Sequence, residues 1–504
     1  MDSMGKTERF YCHITSLNPE VTGSCHLVVV QYPNGNKTKF VVDCGLFQET
    51  DYNHLNREPF PFDCSSINFA IITHNHADHM ARVPLMVKKG YNGHFFTTLE
   101  TARLMPIALN NSLQILKEEA KKKKQKPLYD GDDLETVKQN IVPCSLEKAE
   151  YVDRNIKITF FDNGHLIGAA MVLIQISYPG EEDINLFFTG DYKPQNIFRE
   201  VEALPEWVYE LPVTVITEAT YGYMTTKDIK YHFVQDVLES LESKRTVLIF
   251  VFAQGRAQEI LYLLNKMQKA GEINPKIPIR LDGKLAQDYT KMYSMEEFGI
   301  RPEIRDILTR YEPVTKENRQ EVIGSRKQQI VLTTSGMADH GPAQIYIPEY
   351  IVRKDVDMYF TGYTAEGTFG FQLQHPDNGC VKIQGRKVRV KAQIKTTNEF
   401  SSHAKADELI ELLQKFKHLN LVLINHGQKH VKEEFANKVC EEVHAKRVEI
   451  LGEHTFMISR YGYVKHMGSK LATKVKKCSK KAKESIKKNR KPKYKFRRQL
   501  LLHG

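Results

Sequence analysis

The segment Thr73-His74-Asn75-His76-Ala77-Asp78-His79 concentrates four metal-binding side chains in six residues. It follows the apolar run Ile67 to Ile72, whose length and β-branched content predict a buried strand, so the segment reads as a loop leaving that strand. On such a loop His74 and His76 can face one side while Asp78 and His79 turn to another, which suits two metal ions rather than one. Imidazole with carboxylate fits zinc, with manganese or iron as alternatives. A single histidine is more often a core or surface residue, so the cluster carries weight only with distant partners. Asp43 follows Phe40-Val41-Val42, His165 stands in Asp162-Asn163-Gly164-His165, and Asp191 closes Phe187-Phe188-Thr189-Gly190-Asp191. Each lies at or near the end of an expected strand, where loops gather on one rim of a sheet.

Further strand signals surround this cluster: His26 to Gln31, Lys39 to Val42, Lys157 to Phe161, Met171 to Ser177 and Asn185 to Thr189. Between Leu99 and Val137 the period turns helical, broken by Lys121-Lys122-Lys123-Lys124 and the turn at Tyr129-Asp130-Gly131. That lysine run reads as a solvated helix end, with a nucleic-acid contact as the alternative. From about 212 to 390 strand and helix alternate, through Thr214 to Thr217, Thr246 to Phe252 before a helix from Arg256, and Gln329 to Thr333. Such alternation predicts a parallel α/β sheet. The pattern resumes from 391 to 464, with Asp407 to Phe416 helical and Leu419 to Ile424 a buried strand.

A chain of 504 residues exceeds what one hydrophobic core serves, so two or more domains are expected. Hydrophobic residues at 41% and charged residues at 26% exclude a disordered or membrane-embedded body. No apolar run reaches the roughly 18 residues of a spanning helix, and the polar start Met1-Asp2-Ser3-Met4-Gly5-Lys6 points to a cytoplasmic protein. The eight cysteines form no C-x-x-C pair, so reduced, buried thiols are expected rather than a zinc knuckle or redox centre. Between Lys465 and Arg498, sixteen Lys or Arg face one acid, Glu484; this stretch carries +15, and the rest sums to −4 within a net +11. With Tyr494 and Phe496 among its charges, the tail 465–504 suits nucleic-acid phosphates and bases, or serves as a solvated tail or localisation signal.

The segment H-x-H-x-D-H with Asp43, His165 and Asp191 resembles the four motifs of metallo-β-lactamase fold hydrolases. Within them the chain is similar to the β-CASP group of RNA-processing nucleases. Glu218 in Thr217-Glu218-Ala219-Thr220-Tyr221-Gly222 resembles motif A, and His403 in Phe400-Ser401-Ser402-His403-Ala404 resembles motif C. Two more blocks are similar, Phe252-Ala253-Gln254-Gly255-Arg256-Ala257-Gln258-Glu259 and Gly362-Tyr363-Thr364-Ala365-Glu366-Gly367-Thr368.

The resemblance implies an α/β fold: a four-layer αββα sandwich from 1–211 and 391–464, an inserted parallel-sheet β-CASP domain at 212–390, and the basic C-terminal tail. The active site would lie in the cleft between sandwich and insertion. Carried over by position, His74, His76 and His165 hold one divalent ion, and Asp78, His79 and His403 hold the other. Asp191 bridges them and Asp43 orients ligands by hydrogen bonding. Asp78, Asp191, Glu218 and His403 are the catalytic candidates, with Glu218 open between a direct and a supporting role.

One position departs from the pattern: Gln372 stands where the resemblance expects the motif B histidine. Glutamine cannot act as an acid, so Gln372 is assigned to substrate positioning. The leaving-group proton then falls to a metal-held water, or to His340, His375 or His426, each of which also reads as a structural or surface histidine. The expected activity is a metal-dependent ribonuclease. It hydrolyses single-stranded RNA with a hydroxide activated by two metals, endonucleolytically and with exonuclease capacity. Alternatives are a DNA nuclease of the same superfamily, a small-molecule esterase, or a catalytically silent RNA-binding subunit. A homodimer or processing-complex partners are further expectations.

Overall fold

The strand Ala170–Ile176 is buried along its whole length because its two faces serve two different cores. Ala170, Val172, Ile174 and Ile176 pack against Val28 and Phe40 of a facing sheet. Met171 and Leu173 turn outward to Leu409, Leu413 and Phe435 of the helices Ala406–Lys415 and Lys429–Glu442. The facing sheet is covered in the same way: Val41, Ala70 and Phe95 meet Leu104, Leu109 and Leu113 of the helix Leu99–Lys122. The order is helix, sheet, sheet, helix, and double-sided burial explains why these strands read as continuous apolar runs.

The protein is described from a computed structural model covering residues 9–49, 51–362, 364, 367–452 and 455–460, with the backbone of 462–467. One sandwich sheet has eight strands, with Tyr11–Ser16, His26–Gln31, Lys37–Val42, Phe69–Ile71, His94–Thr98 and Ile141–Cys144 in sequential order, and Thr455–Ser459 and Gly462–Met467 added beside the first. The other has seven, ordered Val448–Ile450, His418–Ile424, Pro212–Thr217, Ile184–Phe188, Ala170–Ile176, Ile156–Asp162 and Glu150–Asp153. Among the described residues, strands from before and after the insertion therefore build the sandwich together. Among the described residues no helix is long and apolar enough to cross a membrane.

The insertion is built on a six-stranded parallel sheet, Glu312–Val314, Ile279–Asp282, Ile330–Thr333, Thr246–Phe250, Val356–Phe360 and Gln393–Thr396. Alternate residues of Thr246–Phe250 again feed two cores, Val247 and Ile249 on one side, Leu248 and Phe250 on the other. Strand pairing draws its limits one strand later than 212–390 at each end. Pro212–Thr217 lies in the sandwich, parallel to Ile184–Phe188 and His418–Ile424, whereas Gln393–Thr396 pairs with Val356–Phe360 in the insertion. A buried parallel strand has the same composition in either sheet, so its periodicity cannot assign it. The expected tail overlaps the strand Gly462–Met467 at its start and otherwise lies outside the described residues, as do Tyr363, Ala365 and Glu366.

Candidate metal centre

Strand ends deliver the site. Asp43 and Glu218 directly follow Lys37–Val42 and Pro212–Thr217, His426 comes two residues after His418–Ile424, and His74, His165 and Asp191 each come three residues after their strands. His76 caps the short helix Ala77–Met80, which turns Asp78 and His79 back toward the same point. Asp43 and His426 adopt φ of 61° and 46°, left-handed values that non-glycine residues hold at a cost of order 1–3 kcal/mol where surroundings enforce them. Gly45 permits the close approach of the Asp43 loop to this helix, since a Cβ there would meet the Asp78 carbonyl oxygen at 1.6 Å.

Three overlapping groups of ligand-type atoms converge, the atoms of each lying within 4.8 Å of one another: the set His74, His76, His165 and Asp191, the set Asp78, His79 and His426, and a group of Asp191, Glu218 and His426 that links the two sets. Asp191 lies between them, with Oδ2 3.6 Å from both His74 Nε2 and His165 Nε2 and 3.3 Å from His79 Nε2, and Oδ1 3.5 Å from His426 Nε2. The hydrogen bonds behind these rings aim their lone pairs inward. Thr73 Oγ1 donates to Asp43 and so accepts from His74 Nδ1 at 3.1 Å, leaving His74 Nε2 bare. His165 Nδ1 donates to the Ser402 carbonyl at 2.9 Å, and His79 Nδ1 donates to Asp43 at 2.8 Å. Asp43 thus supports the site from behind, through Thr73 and His79.

These atoms fit a bound cation. His74 Nε2 and Asp191 Oδ1 are buried without a hydrogen-bond partner, which is costly unless something else satisfies them. His165 Nε2 approaches His76 Nδ1 at 3.2 Å, and His79 Nε2 approaches His426 Nε2 at the same separation. Burial depresses His74 and His165 well below the ordinary histidine range and takes His76 to about 4, so all three are neutral ligands near pH 7. Burial is the largest single influence on His79 and His426 too, but the carboxylates around each ring together outweigh it, Asp191 with Asp43 at His79 and Asp191 with Asp78 at His426, and both are raised. Asp191 is held well below the carboxylate range, burial being overcome by His426, His79 and His403 together, and Asp78 is lowered despite its burial by the hydrogen bond to His426 together with the nearby His79 and His76.

The second set differs from the expected one. His426, not His403, joins Asp78 and His79. His403 Nδ1 instead meets Glu218 Oε2 at 2.9 Å, and its Nε2 is 4.0 Å from Asp191 Oδ2. Glu218 is itself fixed by the Tyr192 backbone N–H, 2.6 Å from Oε1. His403 is thus a carboxylate-backed histidine at the edge of the pocket, outside the set formed by Asp78, His79 and His426. Gln372 is exposed on the helix Phe369–Gln374 of the insertion and lines no part of the cleft beside the ligands. His340 and His375 are also exposed and join neither ligand set. His426, which the sequence offers only as a candidate proton donor, follows a buried strand end just as Asp43 and Asp191 do, the signal that fits it to the ligand set.

A cleft of about 550 Å³ opens onto this pocket. His76, His165 and Lys193 line it from the sandwich, and Phe252, Gln254, Arg256 and Arg301 from the insertion.

Two domain families match the chain: the Beta-Casp domain over residues 257–373, and the Zn-dependent metallo-hydrolase RNA specificity domain over residues 387–451. Ribonuclease TTHA0252 of Thermus thermophilus is 29% identical over 411 residues, 78% of this chain and 88% of that protein. The RNase J-like protein of Methanocaldococcus jannaschii is 26% identical over 409 residues, 79% of this chain and 89% of that protein. Transcription termination factor FttA of Methanosarcina mazei is 27% identical over 453 residues, 84% of this chain and 68% of that protein. With a helix–sheet–sheet–helix sandwich, an inserted parallel sheet and a His/Asp pocket at their junction, the chain carries a match to the Beta-Casp domain and to the Zn-dependent metallo-hydrolase RNA specificity domain, and is similar along most of its length to these β-CASP-type proteins.

Proposed function

We propose that this protein is a metal-dependent ribonuclease that hydrolyses phosphodiester bonds of single-stranded RNA in the cleft between sandwich and insertion. The observation that carries the reading is the convergence of two complete ligand sets, sharing Asp191, on a cleft whose walls bear Lys193, Arg256 and Arg301. The ribonuclease names of two relatives and the RNA specificity domain favour RNA over DNA. A catalytically silent subunit would have no use for a full set of inward-aimed ligands.

His74, His76 and His165 would hold one divalent ion, Asp78, His79 and His426 a second, with Asp191 facing both. Zinc fits this imidazole and carboxylate set, and such ions supply a Lewis acid for the phosphate and an acidified water. The cations of the cleft wall draw in and orient the phosphate backbone. Glu218 fixes His403 through Nδ1, which leaves Nε2 to protonate the departing oxygen of the cleaved ester. The test is cleavage of end-labelled single-stranded RNA and DNA of matched sequence, before and after chelation. RNA cleavage that ends on chelation and returns with zinc is expected; DNA cleaved faster than RNA, or RNA cleavage untouched by chelation, would contradict the reading.

A further inference from the structure

Asn75 stands between the ligands His74 and His76, yet its side chain belongs to the insertion. Its Nδ2 donates to Gln254 Oε1 at 2.7 Å and to Tyr289 Oη at 3.0 Å, and Gln254 Nε2 donates to Tyr293 Oη at 3.4 Å. All four side chains are at most 5% exposed. Tyr289 and Tyr293, one turn apart on the helix Lys284–Tyr293, also pack into the apolar cluster that holds Leu104 and Leu109 of the sandwich. Gln254 lines the cleft beside His76.

We propose that Asn75, Gln254 and Tyr289 form a clasp through which the insertion positions His74 and His76, so that metal affinity at this half of the pocket depends on both domains. The inference rests on the metal reading above. Asn75 cannot shift without carrying a ligand on either side, and metal sites need their donors held within about 0.5 Å. Both amide hydrogens of Asn75 are satisfied only by the insertion, and a buried donor that loses its partner pays the full desolvation cost of that group. Whatever displaces Gln254, including a strand bound in the cleft, therefore bears on the metal loop. Asn75 and Gln254 are positioning residues: neither is a ligand and neither delivers a proton.

The test is zinc affinity of the full-length protein, by competition with a chromophoric chelator, for wild type, Asn75→Leu, Gln254→Leu and the double variant, with thermal midpoints recorded alongside. Each single change should weaken one of the zinc affinities, that of the half holding His74 and His76, by roughly 10- to 100-fold, the usual loss when support behind metal ligands is removed. The double variant should lose no more than the worse single, because both changes break the same link. Tyr289→Phe, which removes one hydroxyl, keeps the test available if Asn75→Leu does not fold, with a loss of about 3- to 10-fold expected for one hydrogen bond. Lower thermal midpoints with wild-type zinc affinity, or losses that multiply in the double variant, would overturn the clasp alone. Wild-type protein that takes up no zinc would overturn the metal reading and the clasp with it.

Discussion

Histidines of one pocket are driven in opposite directions. His74, His76 and His165 are depressed by burial, whereas His79 and His426, equally buried, are raised by the carboxylates they touch. The difference lies in the company each ring keeps. His79 has Asp43 at 2.8 Å and Asp191 at 3.3 Å, and His426 has Asp191 at 3.5 Å and Asp78 at 3.8 Å, while His74 and His165 stand 3.6 Å from one carboxylate oxygen and close to other imidazoles. One half of the pocket is thus a neutral donor set ready for a cation, and the other must give up protons to accept one.

Asp191 faces both halves, so its removal should have the largest effect. Asp191→Ala is expected to lose metal from both sets and at least about a thousandfold in RNA cleavage rate, as when a principal stabilising group is deleted; elemental analysis beside single-turnover cleavage checks it. His403 lies outside both sets, and there the two readings of this histidine separate. His403→Ala should lower the rate by roughly a hundredfold, in the range of a missing general acid, and remove the limb of the pH–rate profile that its ionisation controls. A smaller loss with an unchanged profile would assign proton delivery elsewhere.

Metal uptake should itself divide the halves by pH. The raised His79 and His426 bind protons that compete with a cation, so affinity at their set should fall as pH drops through neutrality. His76 keeps its neutral form down to about 4, and burial holds His74 and His165 low as well, so affinity at their set should stay nearly flat over the same range. Zinc titrations from pH 8 to 6 read this as one affinity that falls and one that does not. The smallest effect belongs to Gln372, exposed on the insertion: Gln372→Ala should change cleavage by less than about twofold, as expected for a surface residue outside the site.

Much of the site could be read along the chain because its ligands follow strands. Thr73 to His79 is a local cluster, and Asp43, His165 and Asp191 each come within three residues of an apolar run. The roles of His403 and His426 could not be read in this way. The proposed division between ligand and proton donor rests on Glu218, 185 residues from His403 in sequence and 2.9 Å away in space. The resemblance points instead to Gln372, which is exposed on the helix Phe369–Gln374 of the insertion. The layered sandwich was legible because each buried strand is short and bounded by turns, whereas the limits of the insertion depended on which sheet Pro212–Thr217 and Gln393–Thr396 join, and that is set by hydrogen bonding between distant strands. The contact of Asn75 with Gln254 spans 179 residues and has no local signature.

Metal counted per chain in His403→Ala and His426→Ala, after dialysis against zinc at pH 8, puts the division of roles in this pocket to its sharpest test. Wild type and His403→Ala should each hold two ions, matching the two ligand sets that share Asp191, and His426→Ala should hold one. A His403→Ala protein that loses an ion while His426→Ala keeps both would contradict the assignment and return His403 to the ligand set.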